Sequence, residues 1–105
     1  MKKTLLVTNS EQSAAALSKL LEEEGYEDIT VSYAAYAAEQ QEDEFDLVCI
    51  NAPLVDENGI SLATRFANTT RASVVIIVPK SSADKVSDML NEKGVLVISR
   101  PINRH

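Results

Sequence analysis

Short apolar segments alternate with predicted helices along the whole chain. Five segments are apolar and mostly β-branched, as is typical of buried strands; they cover residues 5–7, 29–31, 45–50, 73–78 and 95–98. Of the four predicted helices between them, three are indicated by apolar spacing and the second, 34–39, by its alanine content. This alternation predicts a parallel sheet with right-handed crossovers and helices on both faces.

The two best-marked helices have a polar cap before them and a glycine after them. The first helix, 11–24, has Asn9 or Ser10 as its cap and Gly25 after its end. The fourth helix has Ser81 or Ser82 as its cap and Gly94 after its end. The third helix is expected to begin near Gly59, with Asp56 and Glu57 facing solvent or capping it. The predicted inward positions are Ala14, Leu17, Leu20 and Leu21 in the first helix, Ile60, Ala63, Phe66 and Ala67 in the third, and Ala83, Val86, Met89 and Leu90 in the fourth.

Polar residues follow several predicted strands at the edge where ligands of parallel α/β sheets bind, beyond the carboxyl ends. Thr8 and Asn9 follow the first strand, Asn51 the third, Val78–Pro79 ends the fourth, and Arg100 follows the fifth. An amide at Asn51, on a central strand, stands where a carboxylate would be a nucleophile. The sequence therefore places a polar but chemically quiet site at this edge.

Size and charge narrow the function. The 105 residues fit one domain, 1–105, and the net charge of −6 argues against binding the phosphates of nucleic acid or an anionic membrane. The first apolar run ends at Thr8, too early for a signal peptide, and no segment has the length of a membrane span. We therefore expect a soluble cytoplasmic protein that makes no direct contact with nucleic acid or membrane.

Residues suited to catalysis are scarce. Cys49 is the single cysteine, so no internal disulfide can form, and it lies in an apolar strand where a thiol acts as a small hydrophobe. The only histidine is the terminal His105, and no phosphate-binding glycine motif is present. Tyr26, Tyr33 and Tyr36 lack clustered Lys or Arg, which favours packing at the edge of the core over stacking on RNA. We predict no enzymatic activity, no cofactor and no metal.

Four segments, in order along nearly the whole chain, resemble the receiver domains of bacterial two-component response regulators. They are Leu5–Glu11 (first strand and acidic pair), Asn51–Gly59 (phosphoacceptor loop), Ser73–Lys80 (strand ending in a Thr/Ser switch residue) and Ser99–Pro101 (Lys-Pro). The resemblance implies a flavodoxin-like (CheY-like), doubly wound α/β fold with a five-stranded parallel sheet in the order 2-1-3-4-5. It also implies Mg²⁺-dependent phosphorylation of an Asp in a working receiver.

The chain departs from the family pattern at every position that the resemblance marks as functional. Thr8 and Asn9 stand at the acidic pair, Asn51 at the phosphoacceptor, Val78 at the switch hydroxyl and Arg100 at the Lys. Neutral oxygens are poor substitutes for the carboxylates that hold Mg²⁺, and an amide does not form an acyl phosphate. The sequence therefore predicts a non-phosphorylatable pseudo-receiver that acts in signalling or dimerisation.

Two other functions remain open. Arg100, with the side-chain amides of Asn9 and Asn51 and the start of the first helix, could bind a small anion or acidic metabolite. Arg100 could instead pair with Asp56 or Glu11. The third function is an active Mg²⁺-dependent aspartyl-phosphate switch.

The end of the sequence predicts a contact surface. The receiver pattern continues into a further helix after Lys-Pro, and we expect that final helix to be missing from a domain truncated at His105. Apolar side chains of Val75, Ile77, Val95 or Val97, depending on register, would then be exposed. We expect a homodimer or a protein partner at the face of the fourth helix and last strand. A degenerate receiver also resembles the N-terminal part of ANTAR-type regulators, which implies a role in transcription or antitermination.

Overall fold

The computed structural model describes residues 3–101 and shows a five-stranded parallel sheet. Its strands are β1 (Lys3–Val7), β2 (Asp28–Ser32), β3 (Leu47–Asn51), β4 (Ser73–Pro79) and β5 (Leu96–Arg100). Their order across the sheet is β2-β1-β3-β4-β5, and each neighbouring pair is parallel. The predicted fold class and strand order are confirmed. The prediction that a final helix is missing concerns residues after Pro101, which lie outside the described residues.

Helices connect the consecutive strands. They are α1 (Glu11–Glu23), α2 (Ala35–Glu39), α3 (Ile60–Thr69) and α4 (Ala83–Leu90). Ser10 caps α1, because its side-chain oxygen accepts the backbone N–H of Ser13 at 3.1 Å. Among residues 3–101, no helix is long and apolar enough to cross a membrane.

The start of α4 differs from the prediction. Lys80–Ser82 form a 3₁₀ turn before the helix, and the side chain of Ser82 makes no capping hydrogen bond. The backbone carbonyl of Lys80 instead accepts the N–H of Ala83. Since this turn supplies an acceptor from the backbone, a serine cap is not needed here.

Apolar side chains form a layer on each face of the sheet. The larger layer lies under α2, α3 and α4 and includes Leu5, Val7, Val48, Ile50 and Ile76. On the opposite face, α1 packs over a smaller layer of Leu6, Ala14, Cys49 and Ile77. Both faces of the central strands are thus covered, as their continuous apolar sequences predict.

The register between β4 and β5 corrects the expected exposed face. Val75 lies beside Leu96 and Ile77 beside Ile98, so these four residues share the face that α1 covers. Val95 is buried and Val97 packs in the opposite layer, so their predicted exposure is wrong. Ile77 is only 2% exposed, whereas Leu96 is 58% exposed. Successive side chains alternate between faces, so the pairing of Val75 with Leu96 places Val95 and Val97 on the opposite face.

Two helix positions also differ from the predicted inward sets. Met89 is 50% exposed, although Val86 and Leu90 in the same helix are buried. In α3 the fully buried Leu62 lies beside Ala63 and was not among the predicted inward residues. Both errors concern residues at the border of a helical apolar face, where a small rotation of the helix decides burial.

Candidate functional site

Three residues from three strand ends form a hydrogen-bonded chain at the carboxyl edge of the sheet. Asn51, the last residue of β3, donates from Nδ2 to Thr8 Oγ1 at 3.1 Å and accepts from Arg100 Nη1 at Oδ1 at 2.9 Å. Thr8 follows β1 and is fully buried, and Asn51 is 8% exposed. The guanidinium has no acceptor and must donate, which fixes the amide orientation of Asn51. Both polar ends of this buried amide are therefore satisfied.

Arg100 makes further contacts that attach the end of β5 to the loop after β3. Its Nη1 donates to the carbonyl oxygen of Ala52 at 2.7 Å and reaches that of Ile77 at 3.4 Å. Asp56 and Glu11, the carboxylates considered as alternative partners, are not among the hydrogen-bond partners of this guanidinium. This Nη1 is held inside the domain, because its three acceptors, the oxygens of Asn51, Ala52 and Ile77, are close and neutral.

Asn9 links the loop after β1 to the same loop after β3. Its Nδ2 donates to the carbonyl oxygen of Pro53 at 2.9 Å, although the residue is exposed. The side-chain amides of Asn9 and Asn51 thus both have acceptors within the protein. An anion would have to displace these hydrogen bonds to gain either group as a donor.

Val78 occupies the predicted switch position near the end of β4. It is 2% exposed and packs in the larger apolar layer, with no hydroxyl to offer. The structure thus brings Thr8, Asn51 and Arg100 into direct contact, places Asn9 nearby through Pro53, and leaves Val78 in the core.

The residues at this edge do not fit a magnesium ion. Thr8, Asn9 and Asn51 provide neutral oxygens, and Asn51 Oδ1 already accepts a hydrogen bond from a positively charged guanidinium. Mg²⁺ requires near-ideal octahedral geometry and is normally held by carboxylates and water. No cluster of three or more His, Cys, Asp or Glu that could hold a metal occurs within residues 3–101.

The two carboxylates of the loop after β3 cap two different helices. Asp56 accepts the N–H of Ala35 at Oδ1 at 2.8 Å and that of Tyr36 at Oδ2 at 3.0 Å. The backbone hydrogen bonds from Tyr36 and Ala35 lower the pKa of Asp56. Glu57 accepts the N–H of Leu62 at 2.9 Å, so only this residue caps α3 as predicted.

The cross-element role of Asp56 was missed from the sequence. The residue before α2 is Ala34, which has no side-chain acceptor, so the first turn of α2 needs one from elsewhere. An uncapped helix start is a signal in the sequence. It does not say which distant carboxylate supplies the cap.

The glycine at the end of this loop is required by its geometry. Gly59 has φ of 91°, and a Cβ placed there would lie 3.2 Å from side-chain atoms of Ala52 and Ile50. Asn58 Oδ1 accepts the N–H of Ile60 at 2.9 Å and helps to start α3. The turn predicted at Asn58–Gly59 therefore holds the loop that carries Asp56 and Glu57 close to β3.

Cys49 lies in β3 below this site and is 5% exposed. Burial raises the pKa of its thiol to about 12. The thiol therefore remains protonated near neutral pH and packs as a small apolar side chain.

Solved structures similar to this chain are receiver domains. A two-component response regulator from Clostridium difficile matches with a TM-score of 0.83 and 23% identity, over 98% of this chain and 86% of that one. The non-phosphorylated HemR receiver domain from Leptospira biflexa matches with a TM-score of 0.81 and 23% identity, over 98% and 85%. CheY4 of Vibrio cholerae matches with a TM-score of 0.80 and 17% identity, over 98% and 89%.

No family model and no curated protein sequence matches the chain. The structural similarity covers both layers of helices and the complete sheet, so it concerns the whole described domain. This chain therefore has the fold of response-regulator receiver (CheY-like) domains.

Proposed function

We propose that this chain is a pseudo-receiver: a signalling domain that is not phosphorylated and that acts through contacts with proteins. The observation that carries the proposal is the position of Asn51. Its amide stands at the carboxyl end of the central strand β3, held between Arg100 and Thr8 by hydrogen bonds of 2.9 and 3.1 Å. A phosphorylated aspartate is named in a similar structure from Burkholderia pseudomallei, 18% identical to this chain.

The hydrogen bonds that join Thr8, Asn51 and Arg100 support this proposal, because they take the place of the interactions between carboxylates and a cation in a charged site. A cluster of carboxylates needs a cation to offset mutual repulsion. Here a single fixed cation, Arg100, is balanced by the neutral oxygens of Asn51 and Ala52. The site is thus satisfied without a metal or a phosphoryl group, so neither is required to hold the strand ends together.

Phosphorylation is tested with acetyl phosphate and Mg²⁺, followed by intact-mass measurement. We expect no adduct on the natural chain. The matched variant is the triple substitution Thr8→Asp, Asn9→Asp and Asn51→Asp, which places carboxylates at the positions that the resemblance marks. An active receiver serves as the positive control. One added phosphoryl group on the natural chain, lost in Asn51→Ala, would contradict the proposal.

The contact face is proposed at α4 and β5. Met89 on α4 and Leu96 on β5 are 50% and 58% exposed, which leaves large apolar side chains at this edge of the sheet. We propose that a second copy or a protein partner covers them, in a regulator of transcription or antitermination. Sedimentation of the natural chain is expected to show association that Leu96→Ser weakens, while Val55→Ser, exposed elsewhere, does not. A monomer at all concentrations, with no partner that Leu96→Ser affects, would remove this face from the proposal.

Anion sensing is a second candidate because most of the Arg100 guanidinium has no partner among the described residues. Only Nη1 makes hydrogen bonds there, and the residue also lines a cavity of about 480 Å³. The cavity lies beside α1, where Leu17, Lys19, Leu20 and Glu23 contribute to its wall. Lys19 provides a second positive charge at this cavity, and Glu23 provides a negative one.

Calorimetric titration with inorganic phosphate and sulfate tests this candidate. Saturable heat that Arg100→Gln and Lys19→Gln each remove would favour it. Lys85→Gln, a change of the same charge on α4, is the control. No heat at millimolar anion would eliminate anion sensing and leave the pseudo-receiver proposal untouched.

A further inference from the structure

Charge is unevenly distributed along this chain. No Lys or Arg occurs between Lys19 and Arg65, whereas 12 of the 16 acidic residues lie there. In the fold this segment forms the end of α1, all of β2, α2 and β3, and the loop that leads to α3. Since β2 is an outer strand, one edge of the sheet is acidic.

Large apolar side chains are exposed at the carboxyl end of this edge, whereas acidic residues such as Asp28 and Asp46 lie at its amino end. Tyr33 is 43% exposed, Tyr36 71% and Val55 70%, and we call these three residues the tyrosine face. They are three of the five large exposed hydrophobic residues within residues 3–101, and the other two, Met89 and Leu96, lie on α4 and β5. Exposed tyrosine next to an aliphatic residue is typical of protein contact sites.

Asp56 holds the parts of the tyrosine face together. Its carboxylate accepts the N–H groups of Ala35 and Tyr36 at 2.8 and 3.0 Å, and Val55 precedes it in the chain. The loop after β3 is thereby attached to the first turn of α2. The apolar side chains are thus positioned before any partner binds, which reduces the entropy lost on binding.

Carboxylates beside this face outnumber the positive charges. Arg65 donates to Glu39 from Nε and Nη2 at 2.9 and 3.0 Å, and to Glu57 from Nη2 at 2.9 Å. Asp56 shares the field of the same guanidinium, which helps to lower its pKa. Three carboxylates therefore share one cation, and the surroundings of Tyr36 keep a negative charge.

We propose that the tyrosine face binds a basic segment of another protein, one in which Lys or Arg residues flank apolar side chains. The apolar part of such a segment would pack on Tyr36 and Val55, and its cations would neutralise the acidic edge and contact the tyrosine rings. This site is separate from the face at α4 and β5, and it does not depend on whether the chain is phosphorylated.

Other occupants fit this face poorly. Nucleic acid and anionic lipid would be repelled. A second copy fits less well, because the chain has a net charge of −6, and within residues 3–101 Arg65 is paired and Arg100 contacts carbonyl groups inside the domain. Between residues 80 and 93, three lysines alternate with three acidic residues. The charge must come from a different molecule.

The test uses an amphipathic Lys/Leu peptide of about 15 residues, long enough to form a helix when bound. A Lys/Ser peptide of equal charge and a Glu/Leu peptide of equal apolar content are the controls. Backbone amide NMR of the whole chain is expected to show saturable shifts at residues 33–36 and 54–58 with the Lys/Leu peptide only. Tyr36→Ser is expected to weaken binding by at least about fivefold, the size of a moderate interface hot spot.

Met89→Ser and Leu96→Ser are the matched control variants, since both remove an exposed apolar side chain outside the tyrosine face. Each should leave the affinity unchanged, and thermal unfolding should show that Tyr36→Ser is folded. Equal binding of the Lys/Ser peptide, shifts spread over all acidic residues, or equal effects of Met89→Ser and Tyr36→Ser would overturn the proposal. Sedimentation showing that Tyr36→Ser dissolves a dimer of the chain alone would also overturn it.

Discussion

At the scale of single residues, the polar groups of the candidate site form hydrogen bonds with partners that lie far away in the sequence. Asn51 bonds to Thr8 and Arg100, which are 43 and 49 residues distant. The sequence predicted that these residues meet, because strand ends of a parallel sheet share one edge. It could not predict that Arg100 would contact Asn51 rather than Asp56, since that depends on side-chain packing.

Replacing Asn51 by Ala should destabilise the domain. The change leaves Thr8 and the guanidinium of Arg100 without their buried side-chain partner, which costs roughly 1–3 kcal/mol of unfolding free energy. Urea unfolding measures the loss, and Asn9→Ala is the control because Asn9 is exposed. Equal stability of Asn51→Ala and the natural protein would show that the hydrogen bonds of Asn51 with Thr8 and Arg100 do not stabilise the fold.

The pH dependence of stability should include a contribution from Asp56. Backbone hydrogen bonds hold its pKa below the ordinary value of 3.8, so its contribution is present above that value and disappears as the pH falls through the lower, folded-state pKa. Asp56→Asn should therefore flatten the stability profile of the natural chain on the acidic side of pH 4. Acid titration of unfolding monitored by circular dichroism gives both profiles.

At the scale of elements, apolar runs predicted all five strands, because burial on both faces leaves a strong pattern. Apolar spacing predicted three of the helices, and alanine content predicted the second. The errors lie at ends and borders: the 3₁₀ turn before α4, the first residue of β5 and the exposed Met89. These depend on backbone turns and on alternation of faces, which a shift of one residue reverses. Asp56 capping α2 is an interaction between elements, and the sequence of α2 alone does not contain it.

Substituting alanine at two glycines separates the cost of a positive φ from the cost of a steric clash of the new Cβ. Gly59→Ala should cost more stability than Gly25→Ala, although both have positive φ, 91° and 95°. A Cβ at Gly59 would press on Ala52 and Ile50 at 3.2 Å, whereas nothing lies within 4 Å at Gly25. We expect about 1 kcal/mol for the backbone conformation in each, with a further loss only at Gly59. Equal losses in thermal unfolding would mean that the loop after β3 moves aside freely.

At the scale of the whole molecule, the chain has the receiver fold, and three positions that the resemblance marks as functional, Thr8, Asn51 and Val78, are uncharged beside the cation Arg100. Most acidic residues lie between Lys19 and Arg65, and Glu39, Asp56 and Glu57 are the ones beside the tyrosine face. The sequence showed the net charge and the residue types. Only the fold shows that Asp56 lies against the first turn of α2, which carries Tyr36.

Salt should stabilise the domain, because the acidic segment repels itself and salt screens that repulsion. The midpoint of thermal unfolding is expected to rise with added NaCl. Glu42→Gln combined with Glu44→Gln, in the exposed part of this segment, should reduce the dependence on salt. A midpoint that falls with NaCl would indicate that ion pairs such as Arg65 with Glu39 outweigh the repulsion.

The most direct measurement of the central claim is an amide NMR titration of the natural chain with Mg²⁺ and then with beryllium trifluoride, which mimics a phosphoryl group on an aspartate. The account predicts no saturable shifts at Thr8, Asn51 or Arg100 in either step, because the Asn51 amide is held between Thr8 and Arg100. The triple variant with carboxylates at Thr8, Asn9 and Asn51 serves as the comparison. Saturable shifts centred on Asn51 in the natural chain would contradict the claim that this site is closed to phosphotransfer.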